Sequence, residues 1–422
     1  MAPFLVAAPL GLAAGGAIAA QASEEIFFGI NVPRLVAVTH ALVLGWVTTT
    51  MMGATYQLGP VVLGGRLLSV RLARLHFYLH AGAVAAFIWF LLKWDLIGMS
   101  IAGAVLVVSL ILYLVNAGRA VATGQTWSLP RTYLAVSLCM LAAAGALGIT
   151  YVGTLEHLWF PVTLGRLASH AHLGLVGWLA LTLMGVSYQL VPMFNVSTRV
   201  VPRFGHSALI ITAGATVLFA TAMLFDPPMA LRVPLAVLLA AGPLLWGVDQ
   251  WRSLRGRSRR RLDVQGRATF VSLGFLALAA VLGVGAAIGT PFTPDGELAR
   301  WPLAYGAAAI AGWAGTAVIG NGVKITAFLV WFHRYQPRAG ITTVPLLAEL
   351  YSDRYMTSVL ALHTLGTLIA VAAALTGQLV LFQAGATLLV VAGLANFAGL
   401  AAVFIPRQAR QRAPRPERTA VT

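Results

Sequence analysis

The residues in this chain best suited to chemistry are its histidines. Nine occur in 422 residues, and His40, His80, His172 and His363 stand well inside apolar stretches, where ionisable groups are costly and mark functional positions. Neutral imidazole is the cheapest of these groups to bury and the commonest ligand for metals and haem iron. His40 and His172 also share a context. His40-Ala41-Leu42-Val43-Leu44-Gly45-Trp46, with Gly53 and Tyr56-Gln57-Leu58-Gly59-Pro60, returns 132 residues later as His172-Leu173-Gly174-Leu175-Val176-Gly177-Trp178, with Gly185 and Tyr188-Gln189-Leu190-Val191-Pro192. A third copy keeps Gly312-Trp313 and Gly320 but has Ala307, Val323 and Lys324 where histidine, tyrosine and glutamine stood.

Other histidines accompany these four. His76 precedes His80 by four residues, so the two share a helix face, and His170 lies two residues before His172. His157, His206 and His333 fall near span ends and read as surface residues. A lone histidine in a helix bundle usually satisfies a neighbouring hydroxyl or carbonyl, whereas repeat-related positions favour ligation. The Gly-Trp pairs read as packing devices, Tyr56-Gln57 and Tyr188-Gln189 as an aromatic belt, and Lys324 as a snorkelling side chain.

The elements that position these residues are transmembrane helices. With 59% hydrophobic and 9% charged residues, the chain is not a soluble globular protein. A helical span takes about 20 apolar residues, and twelve such stretches are centred at about residues 12, 47, 82, 108, 141, 177, 215, 240, 278, 317, 365 and 392. The expected fold is all-α and integral to the membrane: one domain over 1–422, twelve helices in three parallel pseudo-repeats of four, at about 1–127, 128–258 and 259–405. Residues 406–422 read as a disordered basic cytoplasmic tail. The first stretch, ending Ala19-Ala20-Gln21-Ala22, also has the look of a cleavable signal peptide, though the repeat count favours a retained span.

Net charge is +16. With the N-terminus in the cytoplasm, most arginines fall in inner loops and the C-terminal tail, which is the positive-inside pattern of a bacterial-type inner (cytoplasmic) membrane with both termini cytoplasmic. The Arg-rich stretch 252–267 then faces anionic headgroups, and no nucleic-acid partner is implied. All twelve acidic residues lie in loops or at span ends. The single Cys139 excludes a disulfide framework.

Twelve spans in groups of four, with a histidine early in span two in a His-x-x-x-x-Gly-Trp context and another early in span six, resemble subunit I of the haem-copper oxidases and the related nitric oxide reductases. The resemblance implies that His40 binds a low-spin haem and that His172 or His170 binds copper. Span seven lacks the family's histidine pair and span ten lacks both haem-ligating histidines, so the binuclear oxygen-reducing centre is incomplete and oxidoreductase activity stays open. Matching depth suggests His40 with His172, and His80 with His363, as pairs, with one b-type haem per pair or one haem and one empty site, and His76, His170 and His172 as further metal candidates. The implied function is electron transfer or O2/NO chemistry, alongside other respiratory subunits, with electrons from cytochrome c or quinol. The competing readings are a transporter or channel on a three-repeat scaffold, and a non-catalytic haem sensor or accessory protein.

Overall fold

The computed structural model describes residues 1–29, 33–197, 201–258, 261–289 and 300–408. The tail beyond residue 408 and parts of the loops assigned above to the two faces, including Arg199, Arg259, Arg260, Asp295 and Glu297, lie outside the described residues. Among the described residues twelve helices are long and apolar enough to cross a membrane: α1 (Ala2–Ala20), α2 (Pro33–Val61), α3 (Val70–Lys93), α4 (Leu96–Ala122), α5 (Leu129–His157), α6 (Leu164–Asn195), α7 (Gly205–Met223), α8 (Met229–Arg255), α9 (Val264–Ile288), α10 (Arg300–Arg334), α11 (Asp353–Thr376) and α12 (Leu379–Ala402). In lipid every backbone amide and carbonyl needs an internal partner, which helices supply within one segment. The chain is accordingly a multi-pass membrane protein, with Ile97, Ile210, Val281 and Val380 exposed on its flanks, where lipid tails replace water.

Each helix packs against its neighbours in sequence, and α12 closes on α1. At the centre α2, α6 and α10 touch one another; α6 and α10 are the most enclosed spans, 78% and 83% buried. Close approach rests on glycine. A Cβ on Gly11 of α1 would lie 2.4 Å from the Gly45 carbonyl carbon of α2, and one on Gly315 of α10 would strike the Trp46 ring. Without tails to displace, helices in lipid associate through such contacts, so the Gly-Trp frame works as packing.

The same three central helices leave α-helical geometry. Ala41–Thr48, Leu173–Ala180 and Ala307–Gly315 are π-helical, beginning directly after His40, after His172, and at Ala307. A wider turn displaces carbonyls from their usual partners, and such segments gather at functional sites. Leu44 O accepts from Thr49 Oγ1 at 2.7 Å.

Two expectations about side chains change. Tyr56 and Gln57 face the bundle interior and are buried, so this pair forms no belt; Tyr188 is half-buried and donates to Asp249, while Gln189 is exposed. Lys324 does not snorkel. Its side chain is 4% exposed and its ammonium lies 2.6 Å from the Asp263 carboxylate, because α9 begins where α10 carries the cation.

Candidate functional site

The structure separates the histidines into four environments. The end of the bundle near Ala20, where α2 and α6 begin, holds His40, His170 and His172; the opposite half, toward Met1, holds His76. His80 and His363 stand beside the π segments of α2 and α10.

His40 and His170 come together. Their ring centroids are 6.4 Å apart and their planes differ by 20°. His40 Nδ1 donates to Val36 O at 2.8 Å and His170 Nδ1 to Ala144 O at 3.1 Å. Since a carbonyl only accepts, each ring carries its proton on Nδ1 and keeps the Nε2 lone pair. Phe87 and Tyr151 pack against the pair. Two residues along a helix differ by about 200° in direction, so His172 faces elsewhere, and His40 and His172 make no ring contact.

His172 instead lines a cavity of about 500 Å³ between α6, α7, α8, α9 and α10. Its Nδ1 donates to Ala168 O at 2.8 Å, as His40 does four residues back along α2. The Tyr305 hydroxyl reaches Nε2 at 3.3 Å, the two rings lying nearly parallel. Phe219 packs on the imidazole with centroids 4.5 Å apart. The walls are otherwise apolar, with Leu175, Val176, Leu276, Ala279 and Gly283 among them. Asp226 and Arg232 stand near the loop ends of α7 and α8, and Arg232 Nε donates to Ala287 O at 2.9 Å. Trp313 also lines this space, and its indole Nε1 is buried without a partner among the described residues. Size and polarity suit a cofactor-sized, mostly apolar molecule held by a few fixed polar groups.

His80 and His363 play a backbone role. His363 Nε2 donates to Ala311 O at 2.9 Å, and His80 Nε2 reaches Leu44 O at 3.4 Å. Leu44 and Ala311 both directly precede a Gly-Trp pair within a π segment, so each histidine serves a carbonyl that the wide turn displaces. The two make no ring contact with each other; His363 lies against Trp46 and His80 against His76. His76 Nδ1 shares a hydrogen bond with Tyr56 OH at 3.1 Å, and its Nε2 is buried without a partner among the described residues. His157, His206 and His333 are exposed. No group of three or more His, Cys, Asp or Glu residues is placed to hold a metal among the described residues, so His170, His172 and His76 form no common centre.

Three features escaped the sequence reading. Tyr305 has no motif to announce it. Asp249 lies inside α8, and its carboxylate accepts from the backbone amides of Arg203 and Phe204 at 2.9 Å each, with Arg252 at 3.2 Å. It clamps the loop between α6 and α7 and lies apart from the cavity. Beyond the Lys324–Asp263 pair, Tyr351 packs near the ammonium, its ring centroid 5.5 Å away. Burial pushes this phenol above its ordinary range, while the Lys324 charge acts against the shift. No protein-family model and no curated protein sequence matches the chain.

Proposed function

We propose that this is a haem-binding membrane protein acting in electron transfer or O2/NO chemistry, with a b-type haem in the cavity between α6 and α10 and His172 as its iron ligand. The observation that carries the reading is the placement of His172 on the wall of a mostly apolar cavity of about 500 Å³, its Nδ1 proton held by Ala168 O. A hydrogen bond from the far ring nitrogen fixes the tautomer and raises the basicity of the ligating nitrogen. Haem, when bound there, would supply one-electron exchange and chemistry with O2 or NO.

The chain's own groups fit the assignment. His172 presents Nε2, and the Tyr305 hydroxyl beside it is a hydrogen-bond donor. Apolar walls exclude water and lower the local dielectric. Arg232, whose Nε donates to Ala287 O, stands at the cavity margin. His80 and His363 donate to π-segment carbonyls and do not line the cavity, so they fall outside the proposed ligand set.

The remaining expectations belong to the same reading. The helices form three parallel pseudo-repeats of four around α2, α6 and α10. Both termini are cytoplasmic in a bacterial-type cytoplasmic membrane, and electrons arrive from quinol, cytochrome c or another respiratory subunit. The test is the haem content of purified His172→Ala beside wild type and the exposed-residue control His206→Ala. Loss of haem in the first variant alone supports the assignment, and equal haem in all three refutes it.

A further inference from the structure

We infer that a second cavity, where α2, α6 and α10 meet, is a hydration site that traps about three water molecules. The inference stands on hydroxyl groups at the centre of the bundle and does not depend on haem in the His172 cavity. The space measures about 40 Å³ and takes its lining from those three helices. None of the lining residues is exposed, and none is shared with the larger cavity.

Its polar groups follow the repeated motif. The shift that carries His40 onto His172 carries Thr50 onto Thr182 and Thr55 onto Ser187, and all four line the space. The third copy has Ala317 and Gly322 at those positions, with Asn321 beside them. Away from water, each hydroxyl needs a hydrogen-bond partner or destabilises the fold. Two of the four have one. Thr50 Oγ1 donates to Trp46 O at 2.9 Å, and Ser187 Oγ donates to Met184 O at 2.7 Å while accepting from Trp246 Nε1 at 2.8 Å. Thr182 and Thr55 differ: they are 2% and 3% exposed, and neither hydroxyl has a partner among the described residues. The Tyr113 hydroxyl beside Thr55 is in the same state. Asn321 gives one amide hydrogen to Ala317 O at 2.9 Å and accepts from Gln265 Nε2 at 3.3 Å, which leaves its second amide hydrogen for the cavity.

The size and the donor set select the occupant. A buried water needs about 10–15 Å³ of such space and makes about three hydrogen bonds. The volume therefore admits about three, and the free hydroxyls of Thr55 and Thr182, the spare lone pair of Thr50 and the Asn321 amide supply partners. No carboxylate lines the space, so a cation would stand uncompensated in an apolar interior. A gas molecule or a lipid methyl group would leave both threonine hydroxyls unpaired.

The test is X-ray radiolytic footprinting of the purified full-length protein in detergent, which makes hydroxyl radicals from water where the water sits and oxidises the side chains beside it. Met51 lines the space although it is 5% exposed; its neighbour Met52, at 0%, does not line it, and Met193, at 47%, reports bulk solvent. Wild type is expected to oxidise at Met51 and Met193, with Met52 slower than Met51 by roughly tenfold. Thr182→Val keeps the side-chain shape and removes the hydroxyl. It should slow oxidation of Met51 roughly threefold and leave Met193 unchanged, and adding Thr55→Val should slow Met51 further. Thr182→Ser keeps the hydroxyl and should behave as wild type does. Thermal melting supplies an independent sign: Thr182→Val should melt lower than wild type, because it takes hydrogen bonds from bound water, whereas a dry, unpaired hydroxyl would make it melt higher. Met51 oxidised no faster than Met52 in wild type, unchanged Met51 oxidation in folded Thr182→Val, or a raised melting temperature overturns the site.

Discussion

Removing Lys324 alone should destabilise the protein far more than removing it together with its partner. The Lys324 side chain is 4% exposed, that of Asp263 18%, and their charged atoms lie 2.6 Å apart; the Phe194 and Tyr351 rings flank the ammonium at 6.0 and 5.5 Å. Breaking a buried pair from one side costs about 3–5 kcal/mol, because the remaining charge is left uncompensated. Lys324→Met should therefore lose about that much, and Asp263→Asn a similar amount. Asparagine also retains the cap that Asp263 provides to the Gly266 amide at the start of α9. The double variant leaves two neutral groups and should lie within roughly 1–2 kcal/mol of wild type, so the cycle shows a coupling of several kcal/mol. Equilibrium unfolding in mixed micelles, following helix content, measures all four proteins. If Lys324→Met alone costs less than about 1 kcal/mol, the lysine reaches solvent and the buried pair is wrong.

Two other substitutions separate packing from ligation. His363→Leu leaves Ala311 O unpaired in a buried π segment, which should cost about 1–3 kcal/mol in the same unfolding assay, while haem per chain stays at the wild-type level; haem loss at unchanged stability would return His363 to the ligand set. Gly11→Ala drives a Cβ to 2.4 Å from the Gly45 carbonyl carbon, whereas Gly45→Ala meets the Gly11 Cα at 3.4 Å and Val84 Cγ1 at 3.7 Å. Overpacking of the first kind costs about 1–3 kcal/mol, and the second change should cost less than about 1 kcal/mol; a reversed order in melting temperature would contradict the close approach of α1 and α2.

The span count was legible in the sequence because bilayer thickness fixes helix length and hydropathy marks it: the stretch centred at about residue 82 is Val70–Lys93 in the structure. The Gly-Trp frame was legible as packing for a related reason, since small residues are what bring helices close in lipid. The partners of the histidines were not. His170 and His172 look like one cluster in the sequence, but two residues turn a helix by about 200°, sending one to His40 and the other to Tyr305. The π segments were hidden because the same residues build either turn, and only the displaced carbonyls of Leu44 and Ala311 show why His80 and His363 stand where they do. Lys324 and Asp263 are 61 residues apart, and no local pattern announces their pairing.

The central claim is that the cavity behind His172 belongs to haem. It is tested most directly by the pyridine haemochrome spectrum of the purified wild-type protein with its bundle intact by circular dichroism. The account predicts the absorption of b-type haem, in proportion to the chain and lost in His172→Ala. A folded, colourless protein, expressed where haem is plentiful, would contradict it.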